Sequence, residues 1–193
     1  IKRKTIIINK KNIGAGPSRN IAILKAKGEF IAFIDADDVW KKHKLKNQLL
    51  FMLSNKIKFS FTSYSIINKK NTIIKLIKAK RTIGYDDLIK SCDIGLSTVM
   101  IKKDLLKKNK FPRIKTKEDY ILWLKLSKQN IKMMGINQSL VSWRKLDNSL
   151  SSSIFQRIKD AFYVYNNFLK FSFIKSIYYI LIMSLNFFRK RYL

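Results

Sequence analysis

The feature that most restricts this chain is a five-residue apolar run, Phe30-Ile31-Ala32-Phe33-Ile34, which passes directly into Asp35-Ala36-Asp37-Asp38. A short uninterrupted apolar run after a helical segment predicts a strand buried on both faces, most economically a parallel one. Carboxylates at the C-terminal end of such a strand lie where open α/β sheets place ligands. Negative charges this close repel one another, and a hard divalent cation is one reason to hold them together. The alternative is an N-cap with first-turn acids on a helix that opens near Trp40. The four residues alone do not decide between the two.

The flanking segments alternate in an α/β pattern. Thr5 to Asn9, with the β-branched Ile6-Ile7-Ile8, predicts a strand. Gly14, Gly16 and Pro17 mark a loop, Ser18 to Lys27 a helix, and Gly28 its stop. A helix is expected from about Lys41 to Ser54, then a strand from Phe59 to Ile67 with a hairpin partner at Thr72 to Leu76. Tyr85 to Ser91 is expected as a short helix, Ser97 to Ile101 as a strand, and Lys103 to Lys108 as a helical turn or two. Lys117 to Gln129 predicts an amphipathic helix, and Ile131 to Met134 and Gln138 to Trp143 two closing strands. From Ile154 the texture shifts to aromatic and basic, with two helices near 154–170 and 172–190. The apolar core of the second is shorter than the ~20 residues a spanning helix needs, so it is expected either at a membrane interface or packed on the domain.

Charge narrows the partners. The 193 residues carry 41 Lys and Arg against 12 Asp and Glu, a net of +29. Such a balance suits a polyanion: nucleic acid, an anionic membrane surface or a phosphorylated substrate. Lysine far outnumbers arginine, however, and arginine is the residue suited to bidentate phosphate and base-edge recognition. The lysines are also spread along the whole chain, so no nucleic-acid partner is expected. Nearly half of the chain is apolar, which excludes overall disorder. The single cysteine, Cys92, can form no internal disulfide, fits a reducing compartment, and is expected as a small buried apolar residue. His43, the single histidine, is expected to face solvent.

Six segments carry a family resemblance. Asn12-x-Gly14-x-x-x-x-Arg19-Asn20, Ala26-x-Gly28-Glu29 through Asp38-x-Trp40, and Lys44-Leu45-x-x-Gln48 match glycosyltransferase family 2 in order and spacing. Lys117-Glu118-Asp119-Tyr120-x-x-Trp123-Leu124-x-Leu126 resembles that family's acidic pair opening a helix. Ser142-Trp143-Arg144, with Ser149 and Ser151 beyond, resembles its last strand and serine-containing loop, but Leu146 stands where many members have histidine. The stretch Cys92 to Ile101 is similar to an acceptor-side loop and strand.

The resemblance implies a GT-A fold, a Rossmann-like α/β/α nucleotide-diphospho-sugar transferase with a mixed sheet, over residues 1–151, followed by a helical segment at 152–193. It implies Asp37 and Asp35 as ligands of Mn²⁺ or Mg²⁺, and Arg19, Asp35, Asp37 and Arg144 as donor-binding residues. Asp119 is implied as the general base, with Glu118 and Trp123 on the acceptor side. A carboxylate at a helix N-terminus is held ionised by the helix dipole, and Trp123, one turn on, shares its face. The implied partners are a nucleotide-sugar donor and a glycan or lipid-linked acceptor, met at the cytoplasmic face of an anionic membrane. The chain opens on Ile1, and the family's first strand and base-reading aspartate are expected upstream of it. On that reading the chain by itself binds donor poorly and transfers little sugar.

Overall fold

A computed structural model describes residues 5–146 and 154–192. After an extended start come helix α1 (Ala15–Lys25), strands β1 (Phe30–Ala32) and β2 (Val39–Trp40), and helix α2 (Lys44–Ser54). Strands β3 (Phe59–Ile67), β4 (Ile73–Ile77) and β5 (Thr82–Ile83) precede the short helix α3 (Tyr85–Leu88). A single 3-10 turn at Leu96–Thr98 leads into β6 (Met100–Lys102), α4 (Lys103–Lys108), α5 (Glu118–Lys128) and the long strand β7 (Met133–Arg144). Helix α6 (Ile154–Phe162) continues as a π-helical segment, Tyr163–Phe168, before α7 (Phe173–Tyr192).

The strands form one mixed sheet in the order β1-β6-β3-β7-β2, with β4 beside β3 and β5 beside β7. The β3–β7 pair is parallel and every other pair antiparallel. On one face α1, α5 and the π-helical segment enclose the main core, built around Phe59, Phe61, Leu122, Trp123 and Tyr165. On the other face Leu49, Phe51 and Met52 of α2 cover Phe30, Ala32, Met100 and Met134. These are the three layers expected of an α/β domain.

Helix α1 starts at Ala15, inside the expected loop, and Ser97 and Thr98 lie in the 3-10 turn, so the expected strand at Ser97 to Ile101 starts only at Met100. Three further expectations, on strand pairing, also change. Thr5 to Asn9 is extended but joins no ladder among the described residues, and Ile6 and Ile8 are exposed. A strand is held by ladder bonds, and the described sheet ends at β1. Strand β1 itself is three residues long and antiparallel to β6. Its unbroken apolar character reflects cover on both faces, Ile31 turned to the main core and Phe30 and Ala32 toward α2, and not parallel pairing. The two closing strands are one strand, β7, which slips register where Thr62, Ser63 and Tyr64 meet Ile136, Ser139 and Val141. Beyond that slip the neighbour of β7 changes from β5 to β2.

Residues 154–192 pack onto the same core. Val164 and Tyr165 are fully buried, and the Tyr165 hydroxyl donates to the Ile89 carbonyl at 2.7 Å. Tyr120 of α5 reaches the neighbouring Leu88 carbonyl at 2.6 Å. The junction expected at 151 and 152, with Ser149 and Ser151, lies outside the described residues.

Candidate active site

Arg19 organises the region. It lies on α1, whose N-cap, Gly14, takes φ 87°, a conformation that L side chains adopt only under strain. One arm of the guanidinium, Nη2, donates to Asp35 Oδ1 at 2.8 Å, and the other, Nη1, donates to Glu118 Oε1. Its planar fork spans two carboxylates as a lysine could not. The end of β1 and the start of α5 are thereby drawn to one place. Helix α1 is fastened there by Asn20, which exchanges two hydrogen bonds with the Phe111 backbone at 2.8 and 3.0 Å. The approach is close enough that a Cβ on Gly16 would meet the Pro112 carbonyl oxygen at 2.5 Å.

The acidic run folds as a tight turn closed by the Asp38 N–H donating to the Asp35 carbonyl at 3.1 Å. Its three acids have different surroundings. Asp35 is committed to Arg19, and its N–H donates to Ser97 Oγ at 3.0 Å. Asp38 is buried; its Oδ1 accepts the Arg144 N–H at 3.0 Å while its Oδ2 has no partner. Burial pushes the Asp38 carboxyl above its ordinary range and the charges of Asp35 and Asp37 push the same way, while the nearby Ser97 side chain and the Arg144 N–H work against them. Asp37 is half-buried, with no side-chain hydrogen bond or ion pair among the described residues. No group of three or more His, Cys, Asp or Glu side chains able to hold a metal occurs among the described residues.

Asp119 opens α5 beside Glu118, after Lys117 in the left-handed conformation at φ 62°. Its Oδ1 accepts the Tyr120 N–H at 2.7 Å. Burial, reinforced by the Glu118 charge, pushes the Asp119 carboxyl up to about 6, against the Tyr120 hydrogen bond and the charges of Lys117 and Arg19. A carboxylate so placed is ionised near neutral pH yet is a better base than an ordinary aspartate, as general-base catalysis requires.

Several candidate residues have structural duties. Glu118 is buried against Arg19, so its place is in the ion-pair frame. Trp123, expected on the acceptor side, is fully buried, with its ring edge-on to Phe59 at 4.9 Å. Residues 120–124 of α5 are all buried, so sharing a face with Asp119 gives Trp123 no access to a ligand. Arg144 spends its guanidinium on the Asp37 carbonyl at 3.0 Å, the Asn68 carbonyl at 3.1 Å and Asn71 Oδ1 at 2.8 Å. It thus ties the acidic turn to the β3–β4 hairpin. Cys92, expected as a buried apolar residue, is instead exposed in the loop after α3, and His43 is exposed as expected.

Beneath the acidic turn lies a polar network whose links the sequence did not reveal. Lys44 is wholly buried; its Nζ donates to Gln48 Oε1 at 2.9 Å and sits 4.2 Å from the Trp40 ring centre. Gln48 Nε2 reaches the Thr98 carbonyl at 2.9 Å, and Trp40 Nε1 donates to the Ser97 carbonyl at 2.9 Å. With Ser97 Oγ on Asp35, these bonds lock the turn to the 3-10 segment. Desolvation holds the Lys44 ammonium down to about 7. The i, i+4 spacing of Lys44 and Gln48 on an otherwise apolar helix face was a signal of this pairing; Ser97 gave none. A separate cleft of about 310 Å³ between α1 and β1 has Arg19 as its one charged wall, and neither Asp37 nor Asp119 lines it.

The mixed-sheet α/β domain, with its acidic turn at a strand end tied to an acid-opened helix, is the arrangement that the family resemblance implies. Residues 1–111 match Glycosyl transferase family 2, and the chain belongs to that family. It is 36% identical over 176 residues to the putative teichuronic acid biosynthesis glycosyltransferase TuaG of Bacillus subtilis, covering 91% of this chain and 70% of that protein. It is 38% identical over 181 residues to WfgD of Escherichia coli, named as a UDP-Glc:alpha-D-GlcNAc-diphosphoundecaprenol beta-1,3-glucosyltransferase, covering 93% and 70%. Among solved structures it resembles S. aureus TarS 1-349 in complex with UDP-GlcNAc, with TM-score 0.63 and 21% identity over 81% of this chain. That likeness establishes the GT-A fold; the chain spans 46% of that structure's length.

Proposed function

We propose that the protein transfers a sugar from a nucleotide-diphosphate donor to a hydroxyl of a lipid-linked or glycan acceptor, in cell-envelope polysaccharide synthesis at the cytoplasmic face of the membrane. The observation that carries this reading is Arg19, whose two ion pairs join the acidic turn to the helix that Asp119 opens. The nucleotide-sugar and lipid-diphosphate chemistry is that named for WfgD.

Asp119 is the general base: it takes the acceptor proton as the acceptor oxygen attacks the anomeric carbon and the bond to the donor diphosphate breaks. Attack opposite the leaving group inverts that centre. Arg19 and Glu118 position rather than react, and Arg144 holds the acidic turn through the Asp37 carbonyl. Asp37, with no partner for its carboxylate among the described residues, and Asp38, whose Oδ2 likewise has none among them, offer the oxygen ligands a hard divalent cation takes. Asp35 Oδ1 is engaged by Arg19, so Asp37 would be the principal ligand and Asp35 a secondary one. Mg²⁺ is commonly held by one or two carboxylates plus substrate phosphates, so no cage of three protein ligands is needed. Bound there, such an ion would neutralise charge on the departing diphosphate.

The test is a panel of nucleotide sugars with undecaprenyl-diphosphate-linked acceptors, run with Mg²⁺ or Mn²⁺ and with chelator. Donor-dependent transfer that chelator and Asp37→Asn both abolish is expected. Turnover that is indifferent to both would end the role given to the acidic run.

A further inference from the structure

Helix α7 is two-sided. Its inner side carries the buried Ser176 and Ile180, with Tyr179 and Met183 packed on the main core, and Asn186 Nδ2 donating to the Lys90 carbonyl at 3.0 Å. At 3.6 residues per turn, Ile174, Tyr178, Leu181 and Leu185 fall in one line on the opposite side. They are 81, 58, 58 and 60% exposed. Helix α6 lies against α7, with the Phe162 and Phe173 rings 5.7 Å apart. A continuous apolar line of this kind marks an interaction surface.

We propose that this outward face of α7 docks on an anionic lipid surface. Charge selects that occupant. Residues 154–193 contain seven Lys and Arg and one acid, Asp160, and Asp160 is engaged by Thr116 and Gln156. Lys175 and Arg189, both exposed, border the apolar line. A second copy of the chain would bring two such cationic faces together, whereas anionic headgroups complement them. No helix among the described residues is long and apolar enough to cross a membrane, so α7 lies along the surface with its apolar side chains among the acyl chains. The sugar-transfer reading is not needed for this, because docking is measured without donor or acceptor.

The experiment floats the chain with vesicles of phosphatidylglycerol and phosphatidylcholine, and with phosphatidylcholine alone. Binding to the anionic vesicles is expected. The triple variant Ile174→Ser, Leu181→Ser, Leu185→Ser should weaken it at least about tenfold, since each removes a large apolar anchor, while circular dichroism stays unchanged. Lys175→Glu with Arg189→Glu leaves the apolar line intact and should weaken anionic binding about tenfold or more. Equal binding by the triple variant would overturn the proposal, because the overall charge alone would then carry association. So would an absence of vesicle binding, or a dimer in sedimentation velocity that the triple variant dissolves.

Discussion

Replacing Asp119 with Asn should make the protein more stable near pH 8 and no more stable near pH 4. Burial raises this carboxyl from its ordinary 3.8 to about 6. A carboxyl whose folded pKa lies above its unfolded value favours the fold when protonated, and that advantage is lost as pH rises through about 6. A rise of roughly two units corresponds to about 3 kcal/mol at 1.36 kcal/mol per unit. Asp119 is half-buried and keeps some solvent screening, so about 1–2 kcal/mol is expected for relieving the buried charge. Asparagine keeps an oxygen for the Tyr120 N–H, so the first turn of α5 should survive. Urea unfolding of both proteins near pH 8 and near pH 4 measures the difference directly. A variant less stable than wild type near pH 8, or a difference that does not change with pH, would refute a carboxylate held charged at the cost of stability.

Lys44→Met probes the layer beneath. Because the folded ammonium loses its proton near pH 7 and the unfolded one near its ordinary 10.5, wild type gains stability as pH rises between these values. From about pH 6 to about pH 9 wild type should gain up to about 2–3 kcal/mol relative to Lys44→Met; parallel pH profiles would show that Lys44 is not buried as described. Asn20→Ala strips both partners from the Phe111 backbone and should cost about 1–3 kcal/mol in denaturant unfolding, whereas a cost near zero would mean that water replaces the clamp. Gly16→Ala sets a methyl group against the Pro112 carbonyl and should cost about 1–3 kcal/mol, with an unchanged melting temperature as the contrary result.

Much of this architecture could be read from residues, for reasons that differ by element. β-branched and aromatic density marked Phe59–Ile67, and Lys103–Lys108 read as a helical turn or two; both ranges match the structure. Strand direction was not legible in β1, because cover on both faces yields the same apolar run whether the neighbour is parallel or antiparallel. The fate of Trp123 was not legible either: helical spacing says which residues share a face, but α5 is buried nearly all round. Arg19 was singled out through the family pattern, but only the fold shows Glu118 as its second partner, 99 positions away. Ser97 joins Asp35 to the 3-10 turn from 62 positions off, and no local periodicity encodes such a contact. The tail read as a separate helical segment because its composition changes at Ile154, yet Tyr165 completes the core of the domain before it.

The central claim is that Asp119 takes the acceptor proton at a site it shares with the acidic turn. Its most direct measure is the turnover number and donor affinity of Asp119→Asn, in the protein as its host makes it, with a lipid-diphosphate acceptor. Loss of general-base catalysis should lower turnover by about 10²–10⁴-fold, with donor affinity unchanged and, above pH 6, greater stability than wild type. Full turnover in Asp119→Asn, or a fall in donor affinity that accounts for the whole loss, would contradict it.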